Sequence, residues 1–401
     1  MNLPLNRQAG RPLRGRRQMP SPDLMFPARY GDRALPPAGS WPRCLGPNSW
    51  LSGSRSLLLA ALTTLVLTTA AAAPAFSLAW SEYPSWSVFG VAHEVKIIDG
   101  AEGKLGPIEQ KWNVDIVLKE AEYDPCLTMY GAAQCDAVCI TTLDALNPSL
   151  SRPSVVVLPT STSFGADALI VPKSISRIQQ LRGKKIFGLA KSVSEYCFNR
   201  NLELLGEKTA DYKFTNMDPG AAAVAFQQKQ KEIEAIVVWN PSVLESLQKR
   251  PDAHVLFDST KIPNEIIDSV VVAQASLDRP GGEAFACAVI DTFYSINRRM
   301  ADPATRDDTL VALGEKFSHL NLESMKKVVQ QTRFYATPKE AADLFTGAEL
   351  KALTQRVVNF CVQQEIVPST PKIGYGAKSD APRVALRFDP AHIRKVAAGG
   401  Q

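Results

Sequence analysis

Short runs of β-branched and other apolar residues punctuate the chain: Asp115 to Leu118, Ala137 to Thr141, Ser154 to Leu158, Ala168 to Val171, Lys185 to Leu189, Ala235 to Val238 and Ser269 to Ala273. Each is followed by turn or helix-start residues, and amphipathic stretches lie between them. Bounded apolar runs of this length predict buried strands, and their alternation with helical periods predicts an α/β chain of parallel sheets flanked by helices. After Ala273 the pattern becomes mostly helical, over Glu283 to Met300, Arg306 to Phe317, Leu322 to Thr332 and Gly347 to Gln364. The tail from Pro368 to Gln401 is polar except for Val384 to Phe388, a patch expected to dock on the body.

The first 75 residues read differently. Ser56 to Ser81 carries no charged side chain, Arg55 precedes it, and its apolar part closes on Ala73-Pro74-Ala75. A basic start, an apolar run and a small-x-small site predict an export signal cleaved near Ala75, so that the mature chain begins near Phe76. The alternative is an uncleaved anchor, since the uncharged stretch is long enough to cross a bilayer. Met1 to Ser54, rich in Pro, Arg and Gly, has no hydrophobic period and reads as disordered or untranslated, with Met25 as a possible initiator. Arg16-Arg17 sits too far from the apolar run to be read as a twin-arginine signal.

Removal of that segment changes the charge. It holds nine of the 45 basic residues and only Asp23 and Asp32 of the 40 acidic ones, which leaves the mature chain near −2. The basic balance belongs to the leader, and nucleic-acid binding has no support. Six cysteines remain, Cys126, Cys135, Cys139, Cys197, Cys287 and Cys361. Their apolar contexts suggest buried thiols, with one disulfide possible in an exported chain. Cys135 and Cys139 are not spaced as CxxC and have no nearby His, so no metal site is expected.

A mature chain of this length suits two lobes. We expect a leader and export signal over 1–75, a first lobe over 76–167, a second over 168–270, a helical return to the first over 271–367, and a tail over 368–401. Pattern alone also permits two independent α/β domains.

Candidate chemistry lies at strand ends, where open α/β sheets bind ligands. Val237-Val238-Trp239-Asn240-Pro241 runs from a strand into an aromatic, an amide and a turn. Lys261 to Asp268 is a loop with two carboxylates, and Ser192-Val193-Ser194-Glu195 opens a helix. None resembles a nucleotide loop, metal motif or nucleophile elbow, which points to recognition. The expected cleft edges carry Glu82, Glu122, Asp144, Asp167, Glu195, Glu265 and Asp268, with Lys191 and Lys261 as the few cations. That balance favours a cationic solute, because carboxylates accept in-plane hydrogen bonds from an amidine or guanidinium and Trp80, Trp86 or Trp239 can stack on its face.

Several of these residues have a structural alternative. Ser192 and Glu195 are spaced as a capping box, and Asp144 stands where it would cap a helix. Trp86 and Trp239 suit a core, and Asn240 a turn. Lys261 is placed to pair with Glu265 or Asp268, so one of the two is expected at the ligand.

The residues Trp80-Ser81 with Tyr83 and Trp86, Thr141 to Leu146, Gly165 with Asp167, Ser192-Val193-Ser194 with Tyr196, Trp239-Asn240-Pro241 and Lys261 to Asp268 carry a family resemblance. From Trp80 to about Met300 the chain resembles the solute-binding proteins of nitrate, sulfonate and taurine ABC importers, most of all the urea carboxylase-linked branch associated with urea transport. The resemblance implies a two-lobed type II periplasmic binding protein fold with a ligand cleft between the lobes. It further implies a periplasmic monomer that needs no cofactor and delivers a small nitrogen-rich, guanidine-like or urea-like solute to a permease and its ATPase. The chain departs from that branch at Glu82 and Glu195, where His is usual, at Ala121-Glu122-Tyr123 for Asn-Asp-Tyr, and at Thr142-Leu143-Asp144 for Asn-Met-Asp.

Resemblance and strand-end position together nominate Trp80, Ser81, Tyr83, Trp86, Tyr123, Thr142, Asp144, Asp167, Ser194, Glu195, Trp239, Asn240, Glu265 and Asp268 as solute-binding residues. The alternatives are an anionic sulfonate or nitrate ligand, a sensor partner in place of a transporter, and an enzyme like the thiamine-pyrimidine-forming relatives of this fold. Against catalysis, His93, His254, His319 and His392 are scattered, with no nucleophile pattern nearby.

Overall fold

The computed structural model of the chain describes residues 72–380 and 383–399. The leader and nearly all of the expected export signal therefore lie outside the described residues. The strands are β1 (Ala75–Trp80), β2 (Asp115–Glu120), β3 (Ala137–Thr141), β4 (Ser154–Ser163), β5 (Asp167–Pro172), β6 (Lys185–Gly188), β7 (Lys213–Asn216), β8 (Ile236–Trp239), β9 (Ala253–Asp258), β10 (Ile267–Ala273), β11 (Thr332–Phe334), β12 (Ile373–Tyr375) and β13 (Leu386–Phe388).

Among the described residues, eight strands form one sheet in the order β12-β13-β4-β10-β3-β1-β2, with β11 against β4, and five form a second in the order β7-β6-β8-β5-β9. Every apolar run read from the sequence is a strand. The sheets are mixed, however, where parallel ones were expected. β10 runs antiparallel to β3 and β4, and β5 antiparallel to β8 and β9. The chain leaves the larger sheet at the end of β4, enters the smaller at β5, and comes back beside β4 as β10. A strand that returns next to the one by which the chain left must run against it.

Alternation along β5 and β8 shows why these segments read as continuous apolar runs. Leu169, Val171 and Val237 face one hydrophobic cluster, and Ala168, Ile170, Ile236 and Val238 face another. Side chains with a period of two serve both sides of a sheet covered on both faces. In the larger lobe, β1 lies beneath the helix Gly282–Ala301, with Phe76 stacked on Phe285 at 4.9 Å between ring centroids. The six cysteines from Cys126 onward are all buried and free.

Two segments link the sheets. Phe164 to Ala166 joins β4 to β5, and Ser259 to Ile266 joins β9 to β10. The Ser259 hydroxyl ties them, accepting the Gly165 N–H at 2.7 Å and lying 2.7 Å from Ser163 Oγ. Gly165 has φ +95°, a conformation that a side chain at this position would strain. The tail patch docks through β13, parallel to β4, where buried Arg387 pairs with Asp389 and donates to Gln274 Oε1 at 2.7 Å. No helix among the described residues is long and apolar enough to cross a membrane.

Candidate functional site

Strand ends from both sheets converge on a partly open cavity that offers about 30 Å³ to the centre of a water-sized sphere. Space of that size holds only a few heavy atoms. The larger lobe contributes Ser81, Glu82, Tyr83, Trp86, Tyr123, Thr141, Ile266 and Asp268, and the smaller Asp167, Val193 and Trp239. Among these lining residues there is no Lys or Arg.

The aromatic side chains form a continuous wall. Tyr83 and Trp86 have centroids 4.8 Å apart, Trp86 and Tyr123 stack at 5.5 Å with 10° between planes, and Tyr123 meets Trp239 edge-on at 6.2 Å. The last contact joins the two lobes. Tyr123 is fixed by its hydroxyl, which donates to Asp144 Oδ2 at 2.7 Å and accepts the Thr141 N–H at 3.2 Å. Burial, then the charge of Asp144, holds the Tyr123 phenol well above its usual pKa, so it keeps the proton that it donates.

Asp167 and Asp268 are each 2% exposed. Burial pushes the Asp167 carboxyl up to about 6, against a hydrogen bond from Ser163, with the Asp144 charge adding to the rise. Asp268 is raised well above its usual value by burial and by the charges of Asp167 and Asp144, although Ser161 and Tyr83 hydroxyls oppose this. Ser161 donates to Asp268 Oδ2 at 2.5 Å. Asp167 Oδ1 is buried with no hydrogen-bond partner. Carboxylates held out of water without a counter-charge make a site that gains from an incoming cation.

Of the nominated residues, Ser81, Tyr83, Trp86, Tyr123, Asp167, Trp239 and Asp268 line the cavity. The others stand elsewhere. Trp80 is a core side chain whose ring packs on Gly90 so closely that a Cβ there would lie 2.8 Å from Trp80 Cη2. Thr142 donates its N–H to Ile267 O at 2.9 Å, and its neighbour Thr141 takes the cavity position, as alternation at a strand end requires. Asp144 caps no helix; it accepts from the Tyr123 and Thr141 hydroxyls and lies behind the wall.

Glu195 accepts the Lys191 N–H at 2.7 Å, a local tie near the start of helix Val193–Leu204, while Ser192 Oγ accepts from Ser194 N at 3.2 Å. Ser194 is buried and does not line the cavity. Asn240 donates to Gln331 Oε1 at 2.9 Å, a link between the lobes. Glu265 is taken by Arg200, at 2.8 and 3.0 Å, and by the Tyr196 hydroxyl at 2.6 Å, so of the two loop carboxylates it is Asp268 that faces the cavity. Lys261 pairs with neither carboxylate. Thr141, Val193 and Ile266 were not nominated, because nothing in their residue type marks them.

No protein-family model matches the chain. Over 118 residues, 29% of this chain and 35% of the other, it is 32% identical to the taurine-binding periplasmic protein of Escherichia coli strain K12; the match thus spans about a third of that relative. Solved structures share the fold, two sulfonate-binding proteins among them. The periplasmic aliphatic sulphonate binding protein of Escherichia coli aligns with a TM-score of 0.57 and 18% identity, covering 74% of this chain and 89% of that one. The alkanesulfonate-binding protein of Xanthomonas axonopodis pv. citri, bound to MOPS, aligns at 0.58 and 15%, covering 78% and 98%. The chain has the two-lobed α/β fold of the periplasmic binding proteins.

Proposed function

We propose that this protein is an exported, periplasmic solute-binding protein of an ABC importer. It captures a small nitrogen-rich cation of guanidinium or amidinium type and, on closure, presents it to a membrane permease and its ATPase. The observation that carries the cation is the pairing of Asp167 and Asp268, from different sheets, on one aromatic-walled cavity without a lining Lys or Arg. A flat cation there would stack on the aromatic wall while its N–H groups donate to both carboxylates. Because the carboxylates belong to different lobes, a bound cation would bridge them and favour the closed form. The linking segments at Phe164 to Ala166 and Ser259 to Ile266 are the expected hinge.

The names of the relatives support a second reading, an anionic sulfonate or taurine-like solute. Such a ligand would set its negative group beside two carboxylates. None of the four histidines lines the cavity, which favours binding over acid–base catalysis.

A thermal-shift titration with guanidine, methylguanidine, agmatine, urea, taurine and nitrate tests the proposal. Saturable stabilisation by guanidinium compounds, lost in Asp167→Asn, is the expected result. Stabilisation by taurine or nitrate alone would overturn the cationic reading.

A further inference from the structure

The Tyr123–Trp239 contact crosses between the lobes inside the cavity, where closure and solute contact act on the same rings. The Asn240–Gln331 bond crosses outside it, since neither residue lines the cavity. Asn240 directly follows Trp239 at the end of β8, is wholly buried, and donates its backbone N–H to Ala166 O at 3.0 Å. Gln331 ends the helix Leu322–Gln331 of the larger lobe and immediately precedes β11.

Gln331 makes three contacts at this junction. Its side-chain oxygen accepts from Asn240 Nδ2 at 2.9 Å, its carbonyl accepts the Phe164 N–H at 2.8 Å, and its Cγ lies 3.9 Å from where a Cβ on Gly165 would stand. Phe164 and Gly165 belong to a segment that links the sheets, whereas Asn240 moves with the smaller sheet. One residue of the larger lobe thus grips the expected hinge with its main chain and the smaller lobe with its side chain. Rotation about the hinge carries Asn240 relative to Gln331 and leaves the bond to Phe164 near the axis. Glu265 differs, because it lies within the other linking segment, and its bonds to Arg200 fasten that segment to the smaller lobe.

Resting on the solute-binding function proposed above, we infer that Gln331 is a positioning residue that sets how much of the protein is closed. Its bond to Asn240 forms as the lobes come together and holds Trp239, with its cross-strand partner Asp167, against the larger lobe. Gln331 itself touches no solute. Apparent affinity scales with the fraction of molecules in the binding-competent state, so loss of the bond weakens every solute by one factor and leaves selectivity unchanged. A residue of the pocket wall would instead change the ratio between solutes.

The test is calorimetric titration of the full chain at pH 7 with guanidinium, methylguanidine and taurine, on wild type, Gln331→Met, Asn240→Ala and the double variant. Met keeps the length of Gln and removes the acceptor. Guanidinium and methylguanidine are each expected to bind about fivefold more weakly to Gln331→Met, as loss of one hydrogen bond gives, with the ratio of their affinities unchanged. The double variant is expected to be no weaker than the weaker single one, because both changes remove the same bond. A tie that serves the fold alone would lower Tm and leave affinity at the wild-type value. That result, or unequal losses for the two guanidinium compounds, overturns the inference and leaves the cation reading standing. If taurine binds and neither guanidinium compound does, the cation reading falls and the role of Gln331 is decided on taurine: a fivefold loss in Gln331→Met upholds it, and an unchanged affinity overturns it. If Asn240→Ala does not fold, Gln331→Met decides alone.

Discussion

Asp167 and Trp239 are direct cross-strand partners in the antiparallel pair of β5 with β8. Side chains opposed in this way stand on one face of a sheet, so the smaller lobe delivers a carboxylate and an indole to the cavity as a unit. Trp239→Ala removes the indole and leaves the carboxylate in place. Guanidinium affinity is expected to fall about tenfold, in line with loss of a desolvated cation–π contact, whereas Trp239→Phe retains most of it. Calorimetry on both variants checks this.

The burial of Asp167 fixes the sign of a pH effect on the unliganded protein. Its carboxyl sits at about 6 when folded, above the usual 3.8. The folded state thus holds a proton that the unfolded chain releases, and stability from this group is full below the unfolded value and lost as pH rises through about 6. Asp167→Asn, a mimic of the protonated form, is expected to stabilise the ligand-free protein at pH 7.5 by roughly 1–3 kcal/mol and to give no gain at pH 4. Denaturant melts at the two pH values measure the difference.

Glu265 marks a part of the molecule where electrostatics serve the fold. Although burial raises its pKa, the hydrogen bonds from Arg200 and Tyr196 and the charges of Arg200 and Arg356 outweigh this and hold the carboxyl below its usual value. Its side chain is 7% exposed and that of Arg200 17%. Arg200→Met strands the carboxylate, with Arg356 at 3.7 Å as partial relief, so a loss of about 3 kcal/mol is expected, at the low end for a broken buried pair. The sign is opposite to that of Asp167. The pair stabilises above the unfolded pKa of Glu265 and ceases to do so as pH falls through the depressed folded value. The gap between wild type and variant should be full at pH 7 and close in acid, with guanidinium affinity at pH 7 little changed if the variant is folded.

Packing around Trp80 gives a prediction free of charge effects. A methyl at Gly90 would meet Trp80 Cη2 at 2.8 Å and Cζ2 at 3.0 Å, inside a buried core. Gly90→Ala is expected to cost about 1–3 kcal/mol through overpacking. A lowered Tm with unchanged ligand affinity would place Trp80 in the core and outside the site; a variant as stable as wild type would contradict the tight contact.

How much of this was legible beforehand follows from where each signal resides. Strands buried on both faces announce themselves as apolar runs, so the runs at Ser154 and Ala235 were readable, whereas β7 and β9, with Lys213 and His254 among their residues, were not. β1 was hidden because its residues adjoin an apolar stretch that reads as an export signal. At the site, Asp167, Trp239 and Asp268 were found because charge or aromaticity at a strand end is conspicuous. Val193 and Ile266 are ordinary apolar residues, and only the convergence of two sheets brings them to a ligand. Trp80 and Glu265 were nominated by residue type, yet their roles depend on partners distant in sequence, Gly90 and Arg200, which no local pattern reveals.

The charge of the ligand is most directly tested by calorimetry at pH 6 in two buffers of different ionisation heat, with guanidinium and with taurine. A cation settling between Asp167 and Asp268 should drive protons off carboxyls raised by burial. Guanidinium binding with net proton release is the expected result. Taurine binding with proton uptake, and no heat from guanidinium, would contradict it.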